Sequence, residues 1–180
     1  DMVYLNDGKG QFQPMSWTDG RFRDENGQPL ADPPRDWALS VMFRDMNGDA
    51  APDIYVCNDF WSSDRIWIND GRGNFRAIAR TALANTSTFS MCMDFADINR
   101  DGFDDFIVLD MLSPDHVRRV TQTIMFGLMP WPIGYSPERP QVTRNTLFLN
   151  RGDLTFAEIA QMSGVHATDW SWCPIFLDVD

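Results

Sequence analysis

Short apolar runs rich in β-branched and aromatic residues recur along the chain, three or four residues at a time, with turn-forming residues on either side. Ser40-Val41-Met42-Phe43, Ile54-Tyr55-Val56-Cys57, Met91-Cys92-Met93 and Phe106-Ile107-Val108-Leu109 are the plainest. Runs this short, bounded by Asn, Asp and Gly, predict strands. Three others lead into a common turn. Val3-Tyr4-Leu5-Asn6-Asp7-Gly8, Ile66-Trp67-Ile68-Asn69-Asp70-Gly71 and Leu147-Phe148-Leu149-Asn150-Arg151-Gly152 all end in Asn-x-Gly, after which Phe12, Phe75 and Phe156 open the next strand. Glycine supplies the positive φ that a tight turn needs, so each copy predicts a β-hairpin and none of them asks for a ligand.

Between the remaining strands lies an acidic loop of pattern D-x-N-x-D-x-x-x-D. It runs from Asp45 to Asp53 and again from Asp97 to Asp105, and Asp178-Val179-Asp180 opens a third copy. The first Asp of a loop lies 24 residues before the hairpin Asn in one copy (Asp45 to Asn69) and 53 in the next (Asp97 to Asn150). From that Asn to the following loop the distances are 39, 28 and 28 residues, so the basic unit is 52 residues, with 11 extra before Asp45 and 29 extra before Asn150. A period near 50 with four strands per unit predicts β-propeller blades rather than a solenoid. The expected fold is therefore all-β, a partial propeller of four-stranded antiparallel blades.

The extra residues fall into two insertions. Residues 17–36, rich in Gly, Pro, Asp and Arg, predict a surface loop. Residues 111–143 open with Ser113-Pro114, a cap and first-turn pair, followed by Val117, Val120, Ile124 and Leu128 at helical spacing. A short helix covering one face of the array is expected there, ended by Met129-Pro130-Trp131-Pro132 and by Pro137 through Pro140. The predicted divisions are a closing hairpin of a preceding blade (1–16), the loop insertion (17–36), one blade (37–80), a second blade (81–160) and the start of a third (161–180). An arc of this kind, excerpted from a longer array, leaves two apolar sheet faces in water.

The acidic loops carry the candidate chemistry. Side-chain oxygens at positions 1, 3 and 5, a carbonyl at 7 and a carboxylate at 9 can wrap one hard cation such as Ca²⁺. The ligand sets are Asp45, Asn47, Asp49, the carbonyl of Ala51 and Asp53, and Asp97, Asn99, Asp101, the carbonyl of Phe103 and Asp105, with Asp178 and Asp180 beginning a third. An EF-hand would need a Glu at position twelve and flanking helices, whereas Val56 and Val108 stand there between strands. Asp, Asn and Gly also build turns without any metal. Two copies in register, each crowding carboxylates into nine residues, favour a cation between them.

Composition narrows the picture further. An apolar content of 43% over 180 residues excludes a disordered tail, and no apolar run approaches the length of a membrane-spanning helix. A net charge of −11 argues against nucleic-acid and anionic-membrane partners. Cys57, Cys92 and Cys173 form no metal cluster and read as buried small apolar residues, with Cys92 and Cys173 at the same phase of successive repeats. Polar candidates for catalysis are Asp115, His116, Arg118, Arg119, Glu138 and Arg139, with His166 apart from them. No nucleophile–base pair or metal-hydrolase motif accompanies them, and a binding protein rather than an enzyme is expected. Trp61, Trp131 and Tyr135 in predicted loops are the residues a lectin-like reading would use, while Trp37, Trp170 and Trp172 beside first strands read as blade-to-blade packing.

The two acidic loops and three Asn-x-Gly hairpins resemble the FG-GAP/VCBS repeats of β-propellers, the module also found in integrin α-subunits. With Arg144-Asn145-Thr146-Leu147 and Thr168-Asp169-Trp170-Ser171-Trp172 they look like the cartilage-acidic-protein-like group, whose members often carry an ASPIC/UnbV domain. Ala50, where the loop usually has Gly, and Leu154, where the hairpin usually has a second Gly, depart from that pattern. The resemblance implies an extracellular, periplasmic or cell-surface propeller with calcium in the loops between the first and second strands of a blade. It also implies a role in adhesion or in binding a protein or glycan ligand, with further blades of the parent as partners.

Overall fold

The computed structural model describes residues 2–60, 62–122 and 139–179. Most of its strands fall on the apolar runs, although of Met91-Cys92-Met93 only Met93 lies in a strand. A first hairpin pairs β1 (Tyr4–Asn6) with β2 (Phe12–Pro14), and β3 (Phe22–Arg23) follows in the first insertion. Next come β4 (Ala38–Arg44), β5 (Asp53–Asn58), β6 (Arg65–Asn69) and β7 (Phe75–Ala77), each antiparallel to the one before, with β3 added parallel to the outer strand β7. A second sheet takes β9 (Met93–Ala96), β10 (Asp105–Val108), β12 (Thr146–Asn150) and β13 (Phe156–Glu158) in the same antiparallel order. The short strands β8 (Thr86–Ser87) and β11 (Gln141–Val142) pair in parallel beside it, and the helix α1 (His116–Gln122) lies in the second insertion. These are two four-stranded blades of a partial β-propeller, the first with β3 added at its edge, and among the described residues the sheets do not close into a ring.

Strand β5 is buried at every position because both of its faces are covered. Tyr55 and Cys57 point into the seam between blades and pack with Met93, Phe95, Phe106, Val108 and Phe148. Ile54 and Val56 face the other way, with Trp67, Phe75, Met15, Trp17 and Phe22. Alternation along a strand thus serves two cores at once. Phe106 is the hub of the seam, its ring centroid 4.9 Å from Phe148, 5.2 Å from Tyr55 and Phe156 and 5.3 Å from Phe95. Burying each such side chain is worth roughly 1.5–3 kcal/mol.

Several expectations are corrected. Residues 17–36 are more than a surface loop: Trp17 and Phe22 cap the outer face of the first blade, where Ile54, Val56 and Trp67 would otherwise meet water. The cap of α1 is Asp115, whose Oδ1 accepts the Arg118 N–H at 2.8 Å, while Ser113 Oγ accepts the Asp115 N–H one step earlier. Val117 and Val120 are exposed, so they do not bury a face of the array; Ile124 and Leu128 lie outside the described residues. Trp37, Trp170 and Trp172 are more than half exposed, because among the described residues no sheet covers the outward face of β4 or the extended segment 170–179. Of the cysteines only Cys57 is buried as expected. Cys92 is half-buried, Cys173 is exposed, and their sulfurs lie 3.5 Å apart.

Candidate metal centre

The two acidic loops join β4 to β5 and β9 to β10, at the same end of neighbouring blades, and they share a common hydrogen-bond pattern, to which the first adds a bond from the Gly48 N–H to Asp45 Oδ1 at 2.8 Å. In the first, Asp45 Oδ1 accepts the Asp49 N–H (3.1 Å) and Oδ2 accepts the Ala50 N–H (2.8 Å), while Asn47 Oδ1 accepts the Asp49 N–H (3.1 Å). In the second, Asp97 Oδ1 accepts the Asp101 N–H (3.0 Å) and Oδ2 the Gly102 N–H (2.8 Å), and Asn99 Oδ1 accepts the Asp101 N–H (3.0 Å). Asp49 and Asp101 complete the pattern by accepting the N–H groups of Ala51 and Phe103. In both loops the Asn amide then donates to the Oδ2 of the Asp at position 5, at 2.9 Å. Positions 1, 3 and 5 are therefore drawn together around one backbone N–H.

This winding needs positive φ at positions 4 and 6, and the loops meet it differently. Gly48 (78°) and Ala50 (67°) do so in the first loop, Arg100 (63°) and Gly102 (91°) in the second. A side chain in the left-handed region costs on the order of 1 kcal/mol, so each loop carries one strained residue at opposite places.

Position 9 has a different task. Asp53 is fully buried; its Oδ2 accepts the Met46 N–H (2.9 Å) and its Oδ1 the Asn69 N–H (2.8 Å). Asp105 does the same with Ile98 (3.1 Å) and Asn150 (2.8 Å). The hairpin Asn residues reach back: Asn69 Nδ2 donates to the Pro52 carbonyl, and Asn150 Nδ2 to the carbonyls of Asp104 and, across the seam, Met46. Each acidic loop is thereby clasped to the Asn-x-Gly turn of its own blade. Position 7 also rests on that turn: a Cβ built at Gly152 would lie 2.7 Å from the Phe103 ring, and one at Gly71 would lie 3.9 Å from Ala51 Cβ. The clasp is what the sequence reading missed, and its signal was the Asn that never varies among the three hairpins.

Burial pushes the carboxyls of Asp53 and Asp105 above their ordinary range, and the nearby acids at positions 5 and 1 push in the same direction, against the N–H donors that stabilise the charged form. These are all-oxygen donor sets with accumulated negative charge, the chemistry that suits a hard divalent cation. Among the described residues no three His, Cys, Asp or Glu side chains stand ready-grouped as a metal site. Asp178 is exposed and Asp180 lies outside the described residues.

The polar residues considered for catalysis are held by structural contacts. Arg118 pairs with Asp169 at 2.6 Å, Arg119 Nε donates to the Ser113 carbonyl, and Arg139 donates to the carbonyls of Arg80 and Ala79. His116 is exposed on α1. Glu138, Trp61, Trp131 and Tyr135 lie outside the described residues.

Five residues beyond each position 9 and five before each hairpin Asn, a buried Asp/Asn pair recurs with its members exchanged. Asn58 N–H donates to Asp64 Oδ1 (2.8 Å) in the first blade, and Asp110 N–H donates to Asn145 Oδ1 (2.8 Å) in the second. Asp64 Oδ2 also accepts from Tyr55 (2.8 Å) and Ser90 (2.9 Å), and burial drives its pKa up to about 7.

Residues 45–108, which span both complete acidic loops, match the model of the FG-GAP-like repeat. No curated protein matches the chain.

Proposed function

We propose that this FG-GAP-like repeat segment binds calcium in both acidic loops and serves, in a secreted, periplasmic or surface-bound protein, as part of a propeller platform for a protein or glycan ligand. The observation that carries the reading is the hydrogen-bond pattern that the two loops share, which gathers oxygen side chains at positions 1, 3 and 5 twice over. Asp45, Asn47, Asp49, Asp53 and the Ala51 carbonyl would hold one ion, and Asp97, Asn99, Asp101, Asp105 and the Phe103 carbonyl the other. A bound Ca²⁺ would supply charge neutralisation and a cross-link within each loop. The residues themselves do the rest: they fix the turn, clasp it to the hairpin and keep both loops at one end of the blades. The match of residues 45–108 to the FG-GAP-like repeat supports an extracellular or surface setting, where calcium at high concentration fills even weak sites.

Calorimetric titration of the protein with Ca²⁺ is expected to give binding heat that the paired substitution Asp97→Ala and Asp101→Ala reduces to one site. A chelator is expected to lower the melting temperature, because the unfolded chain cannot assemble the ligands. No binding heat together with melting indifferent to the chelator would sink the reading.

A further inference from the structure

We propose that Cys92 and Cys173 form a disulfide that staples the first strand of the second blade to the extended segment that follows it. The two thiols are 81 residues apart in sequence, yet their sulfurs lie 3.5 Å from each other. Their positions correspond, each five residues before the first Asp of an acidic loop, Asp97 and Asp178. Corresponding stretches of successive repeats thus come together here, and this phase bears a thiol on both.

The approach is pinned by contacts on either side of the pair. The Phe176 N–H donates to Asp94 Oδ2 at 2.6 Å, three residues beyond Cys173 and two beyond Cys92. On the other side the Asp169 N–H donates to the Leu112 carbonyl at 3.0 Å, and Asn145 Nδ2 donates to Thr168 Oγ1 at 2.8 Å. Neither sulfur has a strong competing partner; the backbone carbonyls of Met93 and Pro174 lie 3.6 Å away. Bond formation brings the sulfurs from contact to about 2.05 Å. Cys173 is exposed and Cys92 half-buried, so an oxidant can reach the pair. Cys57, buried against Met93, is out of reach and provides an internal control.

The oxidant is a small disulfide such as oxidised glutathione. The thiolate of one cysteine attacks a glutathione sulfur, breaking its S–S bond and releasing one glutathione thiol. The second protein thiolate then attacks the protein sulfur of that mixed disulfide and releases the other. Two protein thiols are oxidised, one glutathione disulfide is reduced to two thiols, and the two protons end on the departing glutathiones. The hydrogen bond with Cys92 holds the Cys173 thiol above its ordinary pKa. Such a disulfide persists in oxidising compartments and is opened in reducing ones, so the seam after the second blade is sealed according to location.

The test is peptide mapping of the full-length protein after equilibration in oxidised glutathione and trapping of remaining thiols, without reduction. A peptide linking Cys92 to Cys173, lighter by two hydrogens than its separate parts, with Cys57 recovered as the free thiol, is expected. Oxidation is expected to raise the melting temperature by roughly 5–10 °C, and Cys92→Ser to remove that response. Recovery of Cys92 and Cys173 as separate glutathione adducts or free thiols overturns the proposal on the wild-type protein alone, whatever the variant does.

Discussion

Asp64 and Asn145 occupy the same place in successive blades, and the difference between them is a titratable proton. Asp64 is 3% exposed and its pKa is raised to about 7, mainly by burial, so in the folded state it keeps its proton well above the pH at which the unfolded chain loses it. A raised folded pKa favours folding fully below pH ~4; the advantage falls as pH climbs to ~7 and is gone above that. The substitution Asp64→Asn is therefore expected to flatten the decline in melting temperature between pH 4 and pH 8 and to stabilise the protein at pH 8. The contacts allow it: an Asn oxygen still accepts the Asn58 N–H, and the hydroxyls of Tyr55 and Ser90 can turn to accept from the amide, as Thr168 Oγ1 does from Asn145. An unchanged pH profile would show that Asp64 is not the titrating group. This pair was illegible in the sequence, because Asn and Asp at exchanged positions break the very repeat that would have revealed them. Ala50 and Leu154 stood out as departures from glycine, and both do take positive φ, at 67° and 62°.

At the scale of the elements, the clasp between acidic loop and hairpin is the joint on which a blade depends, and its strength differs with burial. Asn150 is buried and serves the Gly152 N–H and the carbonyls of Met46 and Asp104, whereas Asn6 turns an exposed hairpin and accepts only the N–H groups of Gly8 and Gly10. Asn150→Ala strands a buried carbonyl and is expected to cost about 2–4 kcal/mol, against less than about 1 kcal/mol for Asn6→Ala, as read by urea unfolding. Equal costs would mean that the clasp adds nothing to the turn. The strands, the hairpins and the repeat period were legible because each leaves a local mark: an apolar run, a glycine, a fixed spacing. Position 9 was read as a ligand although Asp53 and Asp105 also tie loop to turn, since sequence spacing shows which residues recur and not which backbone groups they face. Trp17 and Phe22 were passed over for a related reason. Their neighbours Gly20, Asp19 and Pro14 signal turns, and only the uncovered face of β5 and β6 explains their burial.

At the scale of the whole molecule, two apolar surfaces stand open among the described residues. Leu39, Val41 and Phe43 alternate along the outward face of β4, close to Met2 and Tyr4, and Trp170, Trp172, Ile175 and Leu177 line the extended segment beyond the second blade, all of them at least about half exposed. Faces of this kind associate when they exceed a few hundred Å². The 180-residue chain by itself is expected to elute as concentration-dependent oligomers in size-exclusion chromatography; a sharp monomer peak with cooperative melting would show that the arc tolerates its open faces. The same chain also bears on how blades accept long insertions. The bond from position 9 to the hairpin Asn closes a span of 16 residues in the first blade and 45 in the second. For a flexible connection the entropy of closure grows only with the logarithm of length, so the longer span costs about 1 kcal/mol more. That is comparable to one hydrogen bond, and the clasp contributes several. Polymer statistics thus leave the link before β12 open to extra sequence at little thermodynamic penalty, provided that both ends still meet at Asp105 and Asn150.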